Sequence, residues 1–149
     1  MTLAGLRGRL AEAWRVLLDS PGGPGRVARG AAAGAFAAMV PAFGAHLLIA
    51  IIVAFVLRGT RAAAVAACLL VGNPLTHAAL VPLAYEIGRF VLPRLPAPHA
   101  SRLPAWVAGA LPVAEEALAG GAVLGLAAGP VAYLLVRAAL RRRHRQPFR

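Results

Sequence analysis

The side chains best suited to chemistry in this chain stand at two interruptions of otherwise apolar sequence. In the run Gly72-Asn73-Pro74-Leu75-Thr76-His77, an amide and a hydroxyl lie three residues apart around a proline. Pro74 has no N–H and disfavours a helical Asn73, so together with Gly72 it leaves backbone carbonyls without helical partners. Free carbonyls, an amide and a helix N-terminus starting at Leu75 suit coordination of a headgroup phosphate, an ion or a polar solute. The same residues equally suit a structural role, in which Asn73 bonds the freed carbonyls of its own break and joins two helices. His77 closes this run, and His46 closes a comparable interruption built on Pro41 and Gly44. Facing one another, the two imidazoles would form a proton-responsive pair; each serves equally as a helix-start residue bonded to backbone. Glu86 and Arg89, at i and i+3, are expected to form an ion pair on one helix face.

Other chemistries lack residues. No nucleophile motif, phosphate loop or carboxylate pair is present, so neither a catalytic residue nor a cofactor is expected, and the chain does not read as an enzyme. Two histidines without neighbouring Cys, Asp or Glu ligands do not make a zinc site, so no metal is expected. Glu115 and Glu116 are adjacent, point in different directions, and read as a solvated helix end. Cys68 is the only cysteine, which excludes an intramolecular disulfide.

The elements that must position these residues are apolar and long. No charged residue occurs from Gly30 to Leu57, from Ala62 to Tyr85 or from Ala117 to Val136. About 20 helical residues cross a hydrocarbon core ~30 Å thick. With 60% hydrophobic residues and a mean hydropathy of +0.71, the composition lies beyond that of ordinary soluble domains. The expectation is an all-α, small polytopic integral membrane protein, with two Gly/Pro-broken helical segments (27–58 and 61–92) and a C-terminal transmembrane helix. Each broken segment reads either as a re-entrant hairpin or as one kinked span. Unpaired backbone at membrane depth is tolerated only where protein or a wet cavity satisfies it, and such breaks are where binding sites tend to sit. Val27 to Val40 is rich in Gly and Ala and reads as packed against protein. His46 to Leu57 is apolar all round and reads as facing lipid. At an offset of 31 residues His46 overlays His77 and Arg58 overlays Arg89, a match that an internal duplication would give and that Ala-rich helices also give readily by chance.

Residues 1–20 read as an amphipathic helix, either lying on the membrane surface with Trp14 at headgroup depth or packed on the protein's own loops, and not as a cleavable signal. A Pro-rich aqueous linker follows at 93–104. Within the helical region 105–140, Ala105 to Leu118 reads as a short helix. Gly120 to Leu140 then reads as the last span, with Gly121, Gly125 and Gly129 making one small face. Residues 141–149 form a basic tail. All sixteen basic residues are arginine, and the net charge of +11 sits mostly at the two ends. By the positive-inside rule both termini are expected in the cytoplasm beside anionic headgroups of membrane lipids. A same-side hairpin at 28–57, a crossing at 62–92 and a return at 117–137 satisfy this. Nucleic acid is not an expected partner, since no folded basic face or aromatic platform is evident.

The Gly/Ala-rich Ala28 to Phe36, the Val40-Pro41-Ala42-Phe43-Gly44 break, Leu57-Arg58-Gly59, Asn73-Pro74-Leu75-Thr76 and Ala84-Tyr85-x-x-Gly88 together resemble a bacterial membrane-protein family, domain of unknown function 2062. The Gly-rich last helix and basic tail fit it as well. Gly72, Thr60 and the stretch His77 to Leu80 depart from what relatives often carry. The resemblance implies a multi-pass protein of the bacterial inner membrane and supplies no activity. Some relatives are fused to glycosyltransferase-like domains, which points by association to polyprenyl-phosphate or envelope-glycan work. Two functions stand side by side. One binds or translocates a lipid-linked or small anionic substrate, such as a polyprenyl-phosphate, at the paired breaks. The other is a non-catalytic structural or assembly partner of an envelope membrane protein such as a glycosyltransferase, or of a second copy of the chain.

Overall fold

Glycine and alanine decide how this chain packs. The computed structural model describes residues 23–42, 44–92 and 104–144. These form five helices, α1 (Gly23–Met39), α2 (His46–Val56), α3 (Arg61–Val71), α4 (Pro74–Val91) and α5 (Ala105–His144), with no strand among the described residues. Helix α1 is the centre of the assembly and packs against α2, α3 and α5. Its buried side is almost entirely Ala and Gly. A Cβ at Gly30 would fall on the Thr60 carbonyl oxygen and one at Gly34 on that of Ala64, so the backbones of α1 and α3 touch. That approach is the use small residues have in apolar surroundings, where burying hydrocarbon gives helices no reason to associate. Helix α2 folds back along α1, placing Ala50 and Ala54 against Ala33, Ala37 and Ala38.

Helix α4 leaves α3 at 86° and packs on α5. A Cβ at Gly88 would fall on the Glu116 carbonyl, and one at Gly120 on that of Ala84. Further along α5, Gly121 meets Met39 and Pro41, Gly125 meets Phe36 and Gly129 lies opposite Ala32, so α5 runs antiparallel to α1. Near the end of α5, Leu140 is buried with Val27 of α1 and Ala63 of α3. The start of α1, the α2–α3 turn and the end of α5 therefore share one end of the molecule.

Side-chain size is inverted relative to a soluble domain. The core is mostly alanine, and among the described residues the largest fully buried side chain is Cys68. The large apolar side chains point outward, among them Phe55, Leu70, Leu75 (82% exposed), Phe90 (94%), Trp106 and Leu135. Ala105–Arg142 is long and apolar enough to cross a membrane, and α3 with α4 would pass the same test as one bent span.

Three expectations change. Ala105 to Leu118 is not a separate helix: α5 is continuous through Pro112, Gly120, Gly121 and Pro130. Its glycines cost helix propensity, roughly 1 kcal/mol each against alanine, but they are the contact points for α4 and α1. Glu116 is not at a solvated helix end; it is buried, 8% exposed, where Gly88 crosses α5. Glu115 is exposed. The duplication does not extend to helix direction, because α2 folds back on α1 whereas α4 turns away from α3 onto α5. The surface helix at 1–20, residues 93–103 of the linker and residues 145–149 of the tail lie outside the described residues.

Candidate functional site

Both interruptions end a helix and restart another within a few residues. After Met39 the chain turns through Ala42, whose carbonyl accepts from the N–H groups of Ala45 (2.9 Å) and His46 (3.1 Å). Gly44 sits at φ +83°, a left-handed conformation that favours glycine. The second interruption is shorter. Helix α3 ends at Val71 with Gly72 as its C-cap, and Asn73, in extended conformation, starts α4 with Pro74 in its first turn. Proline suits that position because its missing N–H would have had no helical partner.

Asn73 and Thr76 form a reciprocal capping box. Asn73 Oδ1 accepts from the Thr76 N–H (3.0 Å), and Thr76 Oγ1 accepts from the Asn73 N–H (3.1 Å). The carbonyls freed at the end of α3 are met by the same two side chains. Thr76 Oγ1 lies 2.5 Å from the Val71 oxygen and Asn73 Nδ2 lies 3.5 Å from that of Leu70. Each polar atom of the Asn73 side chain thus has a partner inside the break. Asn73→Ala should therefore lower the unfolding free energy by about 1–2 kcal/mol, the usual cost of losing a helix cap. A thermal melt in detergent, with the helical circular-dichroism spectrum retained at 25 °C (~298 K, the reference temperature of such values), checks this.

The histidines repeat one arrangement. His46 Nδ1 lies 3.3 Å from the Ala42 oxygen and His77 Nδ1 lies 3.2 Å from the Asn73 oxygen, each four residues back. A carbonyl only accepts, so a hydrogen bond at either contact requires the tautomer with the proton on Nδ1. The two breaks meet in space: the ring centroids are 5.7 Å apart and tilted by 42°. Cys68 Sγ, 3.8 Å from the His46 oxygen, ties α3 to the start of α2. Among the sequence candidates, the fold brings His46 and His77 together, sets Asn73 and Thr76 beside them in the second break, and packs Pro41 on Gly121 of α5. Glu86 and Arg89 stand apart on the exposed side of α4 and pair at 3.2 Å, worth at most about 1 kcal/mol at such a site.

Two further features were not singled out in the sequence. An apolar groove of about 530 Å³ runs between α1, α2 and α5, lined by Phe36, Val53, Leu57, Leu126 and Tyr133 among others. Below it, Arg26, Arg29, Phe55, Arg58, Gly59 and Arg61 surround a cavity of about 410 Å³. In the sequence Arg26 and Arg29 are part of the basic N-terminal end, and nothing there groups them with Arg58 and Arg61. What joins them is the α1–α2 hairpin: Thr60 N–H donates to the Arg26 oxygen at 3.0 Å. Two arms of similar length either side of Pro41 to Gly44 were the available signal.

Among the described residues the fold is all-helical, with one helix long and apolar enough to cross a membrane and two helix breaks brought face to face. The chain belongs to a family of uncharacterized proteins conserved in bacteria, DUF2062, which it matches over residues 8–148. No curated protein and no solved structure matches it.

Proposed function

We propose that this chain is a multi-pass protein of the bacterial inner membrane that binds and moves a lipid-linked or small anionic substrate at its paired breaks, without catalysis. The observation that carries the reading is the meeting of the two breaks, with His46 and His77 5.7 Å apart. Isolated breaks need only satisfy themselves; two that face each other bring polar groups to one spot in apolar surroundings, which is what a binding site within a membrane requires.

The inverted packing supports membrane residence. In water the exposed Leu, Ile and Phe side chains would drive association, and an alanine core would supply little burial. Helices α2 and α3 have 11 residues each, about 16 Å at 1.5 Å per residue, or half of a core ~30 Å thick. On this reading α1 and α2 enter and return as a re-entrant hairpin. Helix α3 rises to the same depth, α4 continues to the far side and α5 crosses back. Both ends of the fold then lie on the arginine-rich side, which the positive-inside rule assigns to the cytoplasm. Asn73 and Thr76 shape the break, His46 and His77 line it, and the apolar groove accommodates the tail of a lipid-linked ligand.

Native mass spectrometry of the full chain in mild detergent tests this. The wild type should retain a phospholipid or polyprenyl-phosphate mass, and a folded His46→Ala/His77→Ala double variant should lose about nine-tenths of it, a tenfold effect for losing two polar contacts. A wild type with no retained ligand, or a folded variant that keeps it, rejects the reading. The competing function is assembly with another envelope membrane protein or a second copy. It is favoured by the internal pairing of Asn73 and Thr76 and by the outward Leu75 and Phe90 of α4. It predicts loss of a complex, and no loss of a ligand mass, when Phe90 is replaced by Ala.

A further inference from the structure

We infer that the arginine-lined cavity between α1, α2 and α3 binds a phosphate group. Arg26 and Arg29 lie one turn apart on α1, Arg58 ends the return arm of the hairpin, and Arg61 opens α3; with Phe55 and Gly59 they enclose about 410 Å³. That size is within the usual range of small-molecule pockets, roughly 300–1,000 Å³. The site lies at the opposite end of α2 from His46, so it does not depend on how the breaks are used.

Arg29 is held at one end and incompletely used. Arg29 Nη2 donates to the Arg58 oxygen at 3.3 Å, while Arg29 Nε is buried with no hydrogen-bond partner among the described residues. A buried donor left unpaired is costly, most of all on a charged group; an oxyanion in the cavity offsets that buried charge while the exposed guanidinium groups of Arg58 and Arg61 donate to it. The Arg61 guanidinium lies 6.0 Å from the centre of the Phe55 ring, which supports it at the rim. Helix α3 starts here without a side-chain cap from Thr60, so its first N–H groups and its dipole add positive potential. Among the described residues the only ion pair is Glu86–Arg89, on α4. The described carboxylates therefore leave Arg29, Arg58 and Arg61 unneutralised.

Membrane topology asks only for the number of positive charges on one side. It does not ask that they converge on a cavity with a buried guanidinium nitrogen. Guanidinium also matches phosphate geometry through paired N–H donors, which a lysine would not. A membrane headgroup and a free phosphate ester share this chemistry, and the helix ends around the cavity suit either.

The test titrates full-length protein in dodecyl maltoside, at fixed ionic strength, with inorganic phosphate and separately with dihexanoyl phosphatidic acid. Isothermal calorimetry reads the binding. Arg29→Gln and the double variant Arg58→Gln/Arg61→Gln should each weaken binding about tenfold or more, the scale of losing a charge-assisted hydrogen bond. Arg141→Gln/Arg142→Gln removes the same charge from exposed positions at that end and should change affinity about twofold or less. Comparable affinity for both probes assigns a free phosphate group as sufficient; binding of the amphiphile alone assigns a lipid headgroup. Equal weakening by the Arg141/Arg142 variant, or no binding of either probe by folded wild type, overturns the inference. If Arg29→Gln fails to fold, the Arg58/Arg61 variant decides.

Discussion

Replacing Gly88 by leucine should leave almost no folded protein. A single Cβ at this position already falls on the Glu116 carbonyl, and one at Gly120 falls on that of Ala84, so the α4 and α5 backbones are in direct contact at two points. An isobutyl group must push one helix off the other. Helix α4 packs chiefly on α5, so a shift there releases the helix instead of being absorbed by other neighbours. Overpacking an ordinary core costs about 1–3 kcal/mol; a clash with backbone in a rigid crossing belongs to the tail above about 4 kcal/mol, a large part of the stability of a small domain. Gly120→Leu should behave alike. Gly109, also on α5, has no atom within 4 Å of a built Cβ, and Gly109→Leu, which meets no clash and gains helix propensity, should melt at or a little above the wild-type temperature. Size-exclusion profiles and thermal melts of the three variants check the contrast; a folded, monodisperse Gly88→Leu would mean that the crossing is looser than described.

The second large effect has opposite signs in membrane and water. Ile52 on α2 and Val131 on α5 are 52% and 56% exposed, and both lie within uncharged stretches. If these faces meet lipid, an aspartate at either position costs about 2.5–3.5 kcal/mol, close to a hundredfold in the inserted fraction. Ile52→Asp and Val131→Asp should therefore deplete the protein from carbonate-washed membranes, and the double variant should be nearly absent. Were the same faces in water, each substitution would improve solubility and leave the fold intact. Quantitative blotting of membrane and soluble fractions separates the two cases.

Local features were legible in the sequence because local rules make them. Proline and glycine mark the breaks at Pro41 to Gly44 and Gly72 to Pro74, and helical spacing pairs Glu86 with Arg89. The run of small residues from Val27 to Val40 announces a helix packed on protein, which is what α1 is. Features that depend on two distant segments were not legible. Glu116 is buried because Gly88, on another helix, leaves room for the α5 backbone to approach; nothing next to Glu116 reports that. The 86° departure of α4 from α3 is a property of the angle at the break, and the spacing of His46 and His77 does not encode it. Asn73 remained open between coordinating a ligand and closing its own break, because an amide can do either. Its partners in the fold are the Thr76 N–H and the Leu70 carbonyl. The arginines escaped notice for a related reason: each pair is unremarkable alone, and only the hairpin turns flanking charge into a cavity.

The central claim is that the paired breaks lie near the middle of the bilayer while the arginine end lies at its surface. Nitroxide labels at Ala45, beside the first break, and at Ala62, in the first turn of α3, would measure this in a Cys68→Ala background reconstituted in lipid. Both positions are exposed. Power-saturation EPR with oxygen and a water-soluble nickel chelate gives the depth of each. The account predicts a label at Ala45 that is accessible to oxygen and shielded from nickel. It should sit about 16 Å deeper than the label at Ala62, the rise of an 11-residue helix such as α2. Equal depths, or a nickel-accessible label at Ala45, would contradict it.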